Sequence, residues 1–183
     1  MISGYAGAGK STLVRFIVSA LGLAEKDVAY VAYTGKAASV LQHKNCPNAT
    51  TAHKLLYNSK LLSNGKYLKT PKQRGEIEYK LIVVDEVSML PKPMWDLLLA
   101  HGIYILACGD PFQLPPIDKD ADNHILDKPH IFLDEIMRQA QESEIIRLSM
   151  DIREGNPIKY FKGNEVQVIR PREVGEGHMF WAD

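Results

Sequence analysis

The sequence predicts an α/β fold in which helices cover both faces of a mostly parallel sheet. Two continuous apolar runs, at residues 81–84 and 103–108, are typical of strands buried on both faces, as parallel strands are. Segments with apolar residues at helical spacing alternate with these runs, which favours parallel strands joined by crossover helices. A glycine-rich turn at residues 4–9 joins the first short strand to the first helix.

The other expected elements follow from the same patterns, in chain order. The first helix is expected to end at Gly22, with an apolar face formed by Leu13, Phe16, Ile17, Ala20 and Leu21. A run of β-forming residues predicts a strand at 28–33. The remaining expected elements are a helix after Gly35, a threonine-capped helix at 50–56, a helix at 91–99 with Pro91 or Pro93 in its first turn, a strand at 131–133, an amphipathic helix at 142–153 and a late strand at 165–170.

Residues 58–79 break the alternation of strands and helices and predict a small β-hairpin insertion. Asn64-Gly65 within this segment is a hairpin signal and favours a type I′ turn. We therefore expect one α/β lobe over residues 1–160 that contains the insertion, followed by a strand and tail over residues 161–183. Because Met1-Ile2-Ser3 leads directly into the glycine-rich turn, we expect the chain to be a fragment.

Composition narrows the class of protein. The chain has 183 residues, of which 45% are hydrophobic and 24% charged, as is ordinary for a globular domain. The formal net charge is zero, so any surface that binds nucleic acid must be a local basic patch. No apolar run reaches membrane length, and we expect a monomer without a membrane partner. Cys46 and Cys108 are the only cysteines, and Cys108 lies in an apolar strand pattern, which favours a reduced, cytoplasmic protein.

Residues 4–11 match the phosphate-binding P-loop pattern G-x-x-x-x-G-K-S at every fixed position. The glycines let backbone N–H groups point inward, and the following helix directs its positive end at the same place. Lys10 is expected to reach the β- and γ-phosphates of a nucleoside triphosphate, and Ser11 to ligate Mg²⁺. The alternative is a plain glycine turn before a helix. The predicted nucleotide-binding residues are Gly4, Ala6, Gly7, Ala8, Gly9, Lys10, Ser11 and Thr12.

Two further segments with polar side chains follow buried strands. Asp85 and Glu86 come directly after the run at 81–84, and ligands bind beyond the carboxyl ends of parallel strands. Asp85 suits the Mg²⁺ shell, and Glu86 suits the polarisation of an attacking water. The alternative is a solvated acidic pair. Residues 109–116, Gly-Asp-Pro-Phe-Gln-Leu-Pro-Pro, follow the next strand, and the alternative there is a proline-stiffened loop.

The order of these segments resembles that of superfamily 1 DNA helicases, and most closely the RecD/Dda-type branch. The segments are the P-loop, residues 33–38, residues 51–56, residues 84–89 and residues 109–116. Residues 133–139 and 145–155 resemble the next motif and the helix after it. The resemblance implies the first RecA-like lobe of a P-loop NTPase that hydrolyses ATP with Mg²⁺.

The resemblance also implies roles for individual residues. Gln113 and Arg138 would sense the γ-phosphate and join Lys10 and Glu86 as catalytic residues. Taken alone, Lys36 would be a solvated lysine and His53 a core histidine. The residues that would contact single-stranded DNA are Thr34, Gly35, Lys36, Thr51, His53 and Lys54.

The chain also departs from the resembled family. The motifs of a second RecA-like lobe, including its arginine, and the upstream glutamine motif that reads adenine have no match in the sequence. We therefore expect an incomplete motor lobe whose partners are single-stranded DNA and a second lobe of the same protein. The alternatives are a P-loop kinase for a small molecule and a non-enzymatic nucleotide-dependent binding module.

Overall fold

The first part of the chain is built on a six-stranded parallel sheet. The computed structural model describes residues 1–113, 116, 125–135, 143–159 and 161–169, and the chain divides into two compact units, residues 1–134 and 135–183. The strands of the first unit are β1 (Ile2–Gly4), β2 (Val28–Ala32), β3 (Ala49–Thr51), β4 (Tyr57–Leu61), β5 (Tyr67–Pro71), β6 (Leu81–Val84), β7 (Tyr104–Gly109) and β8 (Ile131–Leu133). The sheet has the order β3-β2-β6-β7-β1-β8, and each neighbouring pair is parallel.

Helices cover both faces of this sheet, as predicted. The helices of the first unit are α1 (Lys10–Ala20), α2 (Gly35–His43), α3 (Ala52–Leu56) and α4 (Lys92–Ala100). Alternate residues of β2 enter different buried clusters, because side chains of a strand point to opposite faces. Val28 packs in a cluster with Val14 of α1. Ala29 packs in the other cluster, which contains residues of α3 and α4 such as Leu56 and Leu98.

The central strand β6 contributes its four side chains to the buried core. All four of its residues are buried, as its continuous apolar sequence predicts. Complete burial of a side chain such as Ile82 stabilises the fold by about 1.5–3 kcal/mol relative to exposure. Since the carboxyl ends of parallel strands share one edge, β6 and β1 deliver their following loops to the same edge of the sheet.

The apolar face of α1 differs in part from the predicted one. Val14, which was not among the predicted face residues, is the buried residue of this helix. Leu13 and Ile17 pack beside it, but Phe16 is 69% exposed and Leu21 is 55% exposed. Because Val14 is the buried residue, the buried face of α1 is rotated from the face that the apolar residues predicted.

The edge strand β3 was not predicted. Thr50 and Thr51 were expected only as caps of a short helix, and Thr51 does cap α3, accepting the Lys54 N–H at 3.2 Å. Residues 49–51 also form a strand that pairs parallel with β2, with Thr51 opposite Ala32. A three-residue strand carries too little periodicity to be recognised from sequence.

The hairpin insertion is confirmed, but its turn is not type I′. Strands β4 and β5 pair antiparallel, with Leu61 opposite Tyr67. The Leu62 N–H donates to Lys66 O at 2.8 Å, and Gly65 has a φ of 76°. A type I′ turn would also require a positive φ at Asn64, which that residue does not have. The loop is a three-residue turn with glycine in the left-handed position, and the strands span residues 57–71 of the predicted 58–79.

The second unit contains α5 (Glu144–Glu154), β9 (Phe161–Lys162) and β10 (Gln167–Val168). The late strand is shorter than the predicted 165–170, because Glu165 binds the start of α5 instead. Its carboxylate accepts the Ser143 hydroxyl at 2.9 Å and the Glu144 N–H at 2.8 Å. The predicted tail after residue 170 lies outside the described residues. The predicted boundary at residue 160 stays a prediction, and the compact units divide earlier.

Candidate functional site

The P-loop curls between β1 and α1 with the backbone that its glycines predict. Gly7 and Gly9 have φ values of 78° and 83°, a conformation that other residues adopt at a cost of about 1–2 kcal/mol. Gly9 is the N-cap of α1, so the N–H groups of the first helical turn face the loop. The Lys10 amine donates to Gly4 O and Tyr5 O, each at 2.8 Å. The loop therefore combines backbone donors with one cation.

Gly4 has a packing reason to be glycine. A Cβ at this position would lie 2.5 Å from Leu133 O, because β1 and the edge strand β8 approach closely here. The Tyr5 N–H continues the same pairing and donates to Leu133 O at 3.2 Å. The fold itself requires this glycine, independently of any bound phosphate.

The acidic pair lies at the carboxyl end of β6, beside the P-loop. Ser11 and Asp85 line one cavity of about 350 Å³ between α1, α2 and the sheet. The Asp85 Oδ1 accepts the Glu86 N–H at 3.1 Å and the Cys108 thiol at 3.2 Å. The structure thus brings together the two predicted Mg²⁺ ligands, and it adds Cys108, which sequence reasoning did not assign to the site.

Glu86 has an unusual backbone and a perturbed carboxyl group. Its φ of 51° and ψ of 48° place a non-glycine residue in the left-handed region, which costs about 1–3 kcal/mol. Burial, and then the neighbouring charge of Asp85, raise the pKa of the Glu86 carboxyl, whereas Lys10 and Lys44 act in the opposite direction. The electrostatic effect of Lys10 on Glu86 couples the P-loop to the acidic pair.

The loop after β7 is organised by a buried carboxylate. Asp110 is fully buried, and its Oδ1 accepts the Phe112 N–H at 3.0 Å. The Gln113 N–H donates to Asp110 O at 3.1 Å. This turn fixes the backbone that carries the predicted γ-phosphate sensor Gln113. The other predicted sensor, Arg138, lies outside the described residues, as do Leu114 and Pro115 of the same loop.

The residues present fit a magnesium-bound nucleoside triphosphate. A serine hydroxyl and a carboxylate are oxygen ligands of the kind that Mg²⁺ prefers when phosphates complete its shell. Lys10 and the amino end of an eleven-residue helix supply positive charge for those phosphates. Ala8 is buried, so the loop backbone rather than this side chain would meet a phosphate.

The residues predicted to contact DNA meet at the same edge, beyond β2 and β3. The Thr34 hydroxyl accepts the Ala37 N–H at 3.2 Å and caps α2, as Thr51 caps α3. Both threonine hydroxyls therefore have a structural partner already. Lys36 and Lys54 are exposed, and so is His53. The structure places these residues together at one surface, although they come from two separate segments.

Aromatic rings that sequence reasoning did not single out flank His53. The Tyr33 and Tyr57 ring centroids lie 5.9 Å and 6.0 Å from that of His53. His53 is exposed overall, but partial burial of its imidazole, and then the charge of Lys69 on β5, lower its pKa. The only sequence signal for these two tyrosines was the position of each one beside a segment already predicted to contact DNA.

The comparison with protein families identifies the chain. A family described as an AAA domain matches residues 1–169. The chain belongs to this AAA domain family. Among its relatives, the ATP-dependent RecD2 DNA helicase of Deinococcus radiodurans is 32% identical over 161 residues, which cover 85% of the chain and 22% of RecD2. The ATP-dependent DNA helicase dda of phage T4 is 28% identical over 122 residues, which cover 64% of the chain and 28% of dda.

Solved structures show the same fold for this AAA domain. Bacteroides Pif1 bound to single-stranded DNA matches with a TM-score of 0.55 at 22% identity, over 83% of this chain and 42% of that one. Bacteroides Pif1 in complex with ADP-AlF4 matches with a TM-score of 0.52 at 22% identity, over 86% of this chain and 42% of that one. The predicted RecA-like P-loop fold and the resemblance to RecD/Dda-type superfamily 1 helicases are confirmed.

The AAA domain is much shorter than the proteins that it matches. It spans 22% of RecD2 and 42% of the DNA-bound Pif1 chain. Within the described part of the chain, no helix is long and apolar enough to cross a membrane.

Proposed function

We propose that this chain is the ATP-binding motor lobe of an ATP-dependent DNA helicase. In this function, hydrolysis of ATP is coupled to movement along single-stranded DNA and to separation of a duplex. The observation that carries the proposal is the shared cavity of Ser11 and Asp85, beside Lys10 and Glu86, in a chain related to RecD2. The two free, buried cysteines support a reducing, cytoplasmic location as part of the same proposal.

Each residue of the nucleotide site has a proposed task. The P-loop amides and the Lys10 amine bind the β- and γ-phosphates, and Thr12, in the first turn of α1, is the last of the nucleotide-binding residues. Ser11 and Asp85 hold Mg²⁺, which supplies charge stabilisation for the transferring phosphoryl group. Gln113 and Arg138 sense the γ-phosphate. The related Pif1 complex with ADP-AlF4 supports ATP as the nucleotide.

Glu86 is the proposed base of the reaction. Its carboxylate orients a water molecule and accepts a proton from it as the water attacks the γ-phosphate. The raised pKa of this carboxyl makes it a stronger base than an ordinary glutamate. The charge of Lys10 acts in the opposite direction on this pKa and favours the ionised carboxylate.

The surface beyond β2 and β3 is proposed to bind the DNA backbone. Lys36, Lys54 and His53 offer exposed donors, and contacts of this kind fix the register of the strand without reading its sequence. The related Pif1 bound to single-stranded DNA supports this assignment. A second RecA-like lobe of the longer protein is the proposed partner that completes the ATP site.

The test is ATP turnover in a longer chain that contains residues 1–183 and the second lobe. We expect single-stranded DNA to increase steady-state phosphate release, and Lys10→Ala to abolish both the basal and the stimulated rate. Lys26→Ala, which changes a lysine at the opposite end of β2, is the matched control and should leave both rates unchanged. DNA-independent transfer of phosphate to a small molecule would instead indicate a kinase, and nucleotide binding without turnover a binding module.

A further inference from the structure

Three aromatic side chains form a continuous row at the edge of the sheet. The rings of Tyr33 and His53 are tilted by 43°, with centroids 5.9 Å apart. The rings of His53 and Tyr57 are tilted by 31°, with centroids 6.0 Å apart. These residues, which we call the aromatic row, come from three places in the chain: the end of β2, the helix α3 and the start of β4.

The aromatic row combines two rings that are anchored in the core with one exposed ring. Tyr33 and Tyr57 are half-buried and pack against the cluster formed by β2, α3 and α4. His53 is exposed between them. Rings that are anchored on one side lose little conformational entropy when a ligand covers the other side, so the row is pre-organised to stack on a planar group.

The surroundings of the aromatic row are basic. Lys54 follows His53 directly, and Lys36 is exposed on the first turn of α2. Lys69 of the hairpin is close enough to influence the imidazole of His53. Aromatic rings beside a track of cations are the combination that binds single-stranded nucleic acid, since every base has a face to stack and a phosphate to pair.

We propose that Tyr33, His53 and Tyr57 form a stacking platform for unpaired bases of single-stranded DNA at the foot of the hairpin. The inference rests on the proposed function and goes beyond its backbone contacts, because it assigns the tyrosines and makes His53 a base contact. Tyr57 is the first residue of the hairpin strand β4. A base stacked on it would therefore lie where the DNA passes from the edge of the sheet to the hairpin. Stacking of this kind tolerates any sequence.

The experiment compares two oligonucleotides that carry the same phosphates. One is an oligothymidylate of about 16 nucleotides, and the other is an abasic strand of the same length. Fluorescence anisotropy measures the affinity of the 183-residue chain and of Tyr33→Leu and Tyr57→Leu for each. Leucine retains an apolar side chain against the core, and thermal unfolding identifies any variant that is not folded.

We expect the unmodified chain to bind oligothymidylate more tightly than the abasic strand. Each leucine substitution should weaken binding of oligothymidylate by about 5- to 150-fold and leave binding of the abasic strand unchanged. Tyr104→Leu is the matched control, because Tyr104 is 83% exposed at the opposite end of a strand. Lys36→Ala should weaken both complexes. It should also reduce the slope of log affinity against log salt concentration by about 1, the value expected for one lost phosphate contact.

Several outcomes would overturn the platform while leaving the proposed function intact. These are equal affinity of the unmodified chain for both strands, an equal loss on both strands in the tyrosine variants, and no loss at all. If the chain bound neither strand, the platform and the proposed DNA surface would both be wrong. If a leucine variant fails to fold, the platform is tested instead by photo-cross-linking of the unmodified chain to oligonucleotides that contain 5-iodouracil. Cross-links at Tyr33 or Tyr57 support the platform, and cross-links only elsewhere contradict it.

Discussion

The thiol of Cys108 donates a hydrogen bond to the carboxylate that is proposed to hold Mg²⁺. Its sulfur lies 3.2 Å from Asp85 Oδ1, and a second contact reaches Val84 O at 3.6 Å. Burial, and then the charge of Asp85, raise the pKa of Cys108 far above the ordinary value, so the group remains a protonated donor. Cys108 is therefore a positioning residue that orients Asp85.

Replacement of Cys108 tests this role. We expect Cys108→Ala to weaken binding of Mg-ATP by about 10- to 100-fold, because partners that orient a metal ligand contribute on this scale. Cys108→Ser retains a donor and should stay close to the unmodified chain, as measured by calorimetry. Cys46→Ala, which removes the other buried thiol of the same cavity, controls for lost volume. An equal loss in the serine and alanine variants of Cys108 would contradict the orienting role.

The charge of Lys69 acts on His53 and gives a prediction about pH. Burial comes first and Lys69 second among the causes that lower the pKa of His53. We expect Lys69→Gln to raise this pKa without restoring the value of an unfolded peptide, about 6.5, because the burial remains. NMR titration of the imidazole measures the shift. Lys26→Gln is the control, and an unchanged pKa in Lys69→Gln would contradict the contact.

The sign of the linked stability change follows from the lowered pKa of His53. In the unfolded chain this histidine takes up its proton at a higher pH than in the folded chain. The unfolded state therefore binds more protons between the two pKa values, and folding stability falls as the pH decreases through that window. Above the unfolded value, the effect is absent.

At the scale of elements, the hairpin of β4 and β5 is the insertion with the clearest proposed role. Its strands contact each other through five residue pairs, and its outer residues Leu61, Tyr67 and Leu68 are exposed. The resemblance implies that an insertion at this place acts as a pin that splits the duplex. The alternative is an ordinary surface loop.

Deletion of residues 63–67 from the full-length protein distinguishes the two. We expect DNA-stimulated ATP hydrolysis to persist while strand separation is lost, because the motor remains but the separating element is shortened. Parallel assays of phosphate release and of fluorescent strand displacement measure the two activities. Strand separation at the full rate in the deletion variant would show that the hairpin is not the pin.

For the molecule as a whole, we expect the proposed ATP site to need residues from a second lobe. The chain spans 22% of RecD2, and the resemblance implies that an arginine from a second lobe completes the charge around the phosphoryl group. Such an arginine increases the turnover rate by a factor of about 10³ to 10⁵. Movement along DNA also requires two lobes that open and close.

We therefore expect residues 1–183 alone to bind Mg-ATP weakly, to hydrolyse it barely and not to unwind DNA. Binding should decrease less than turnover, because Lys10 and the P-loop amides hold the phosphates without the second lobe. Steady-state phosphate release, with and without single-stranded DNA, is compared between this chain and one extended through the second lobe. Equal DNA-stimulated rates would refute the need for two lobes.

The sequence alone determined the α/β class, the P-loop and the location of the acidic pair. Each of these depends on contiguous residues: glycines at fixed spacing before Lys10, and a buried apolar strand that ends at Asp85. Local sequence also predicted the hairpin, but not its turn, because Asn-Gly is compatible with more than one loop geometry and the strand register selects between them.

Which distant residues meet depends on the folded arrangement of the strands. The hydrogen bond between Cys108 and Asp85, the packing of Gly4 against Leu133 and the contact of Tyr33 with His53 join segments that are 20 to 129 positions apart in the chain. These contacts depend on the order of strands in the sheet, which places β7 beside β6 and β8 beside β1. Strand order is set by packing of the complete fold, and no local pattern of residues records it.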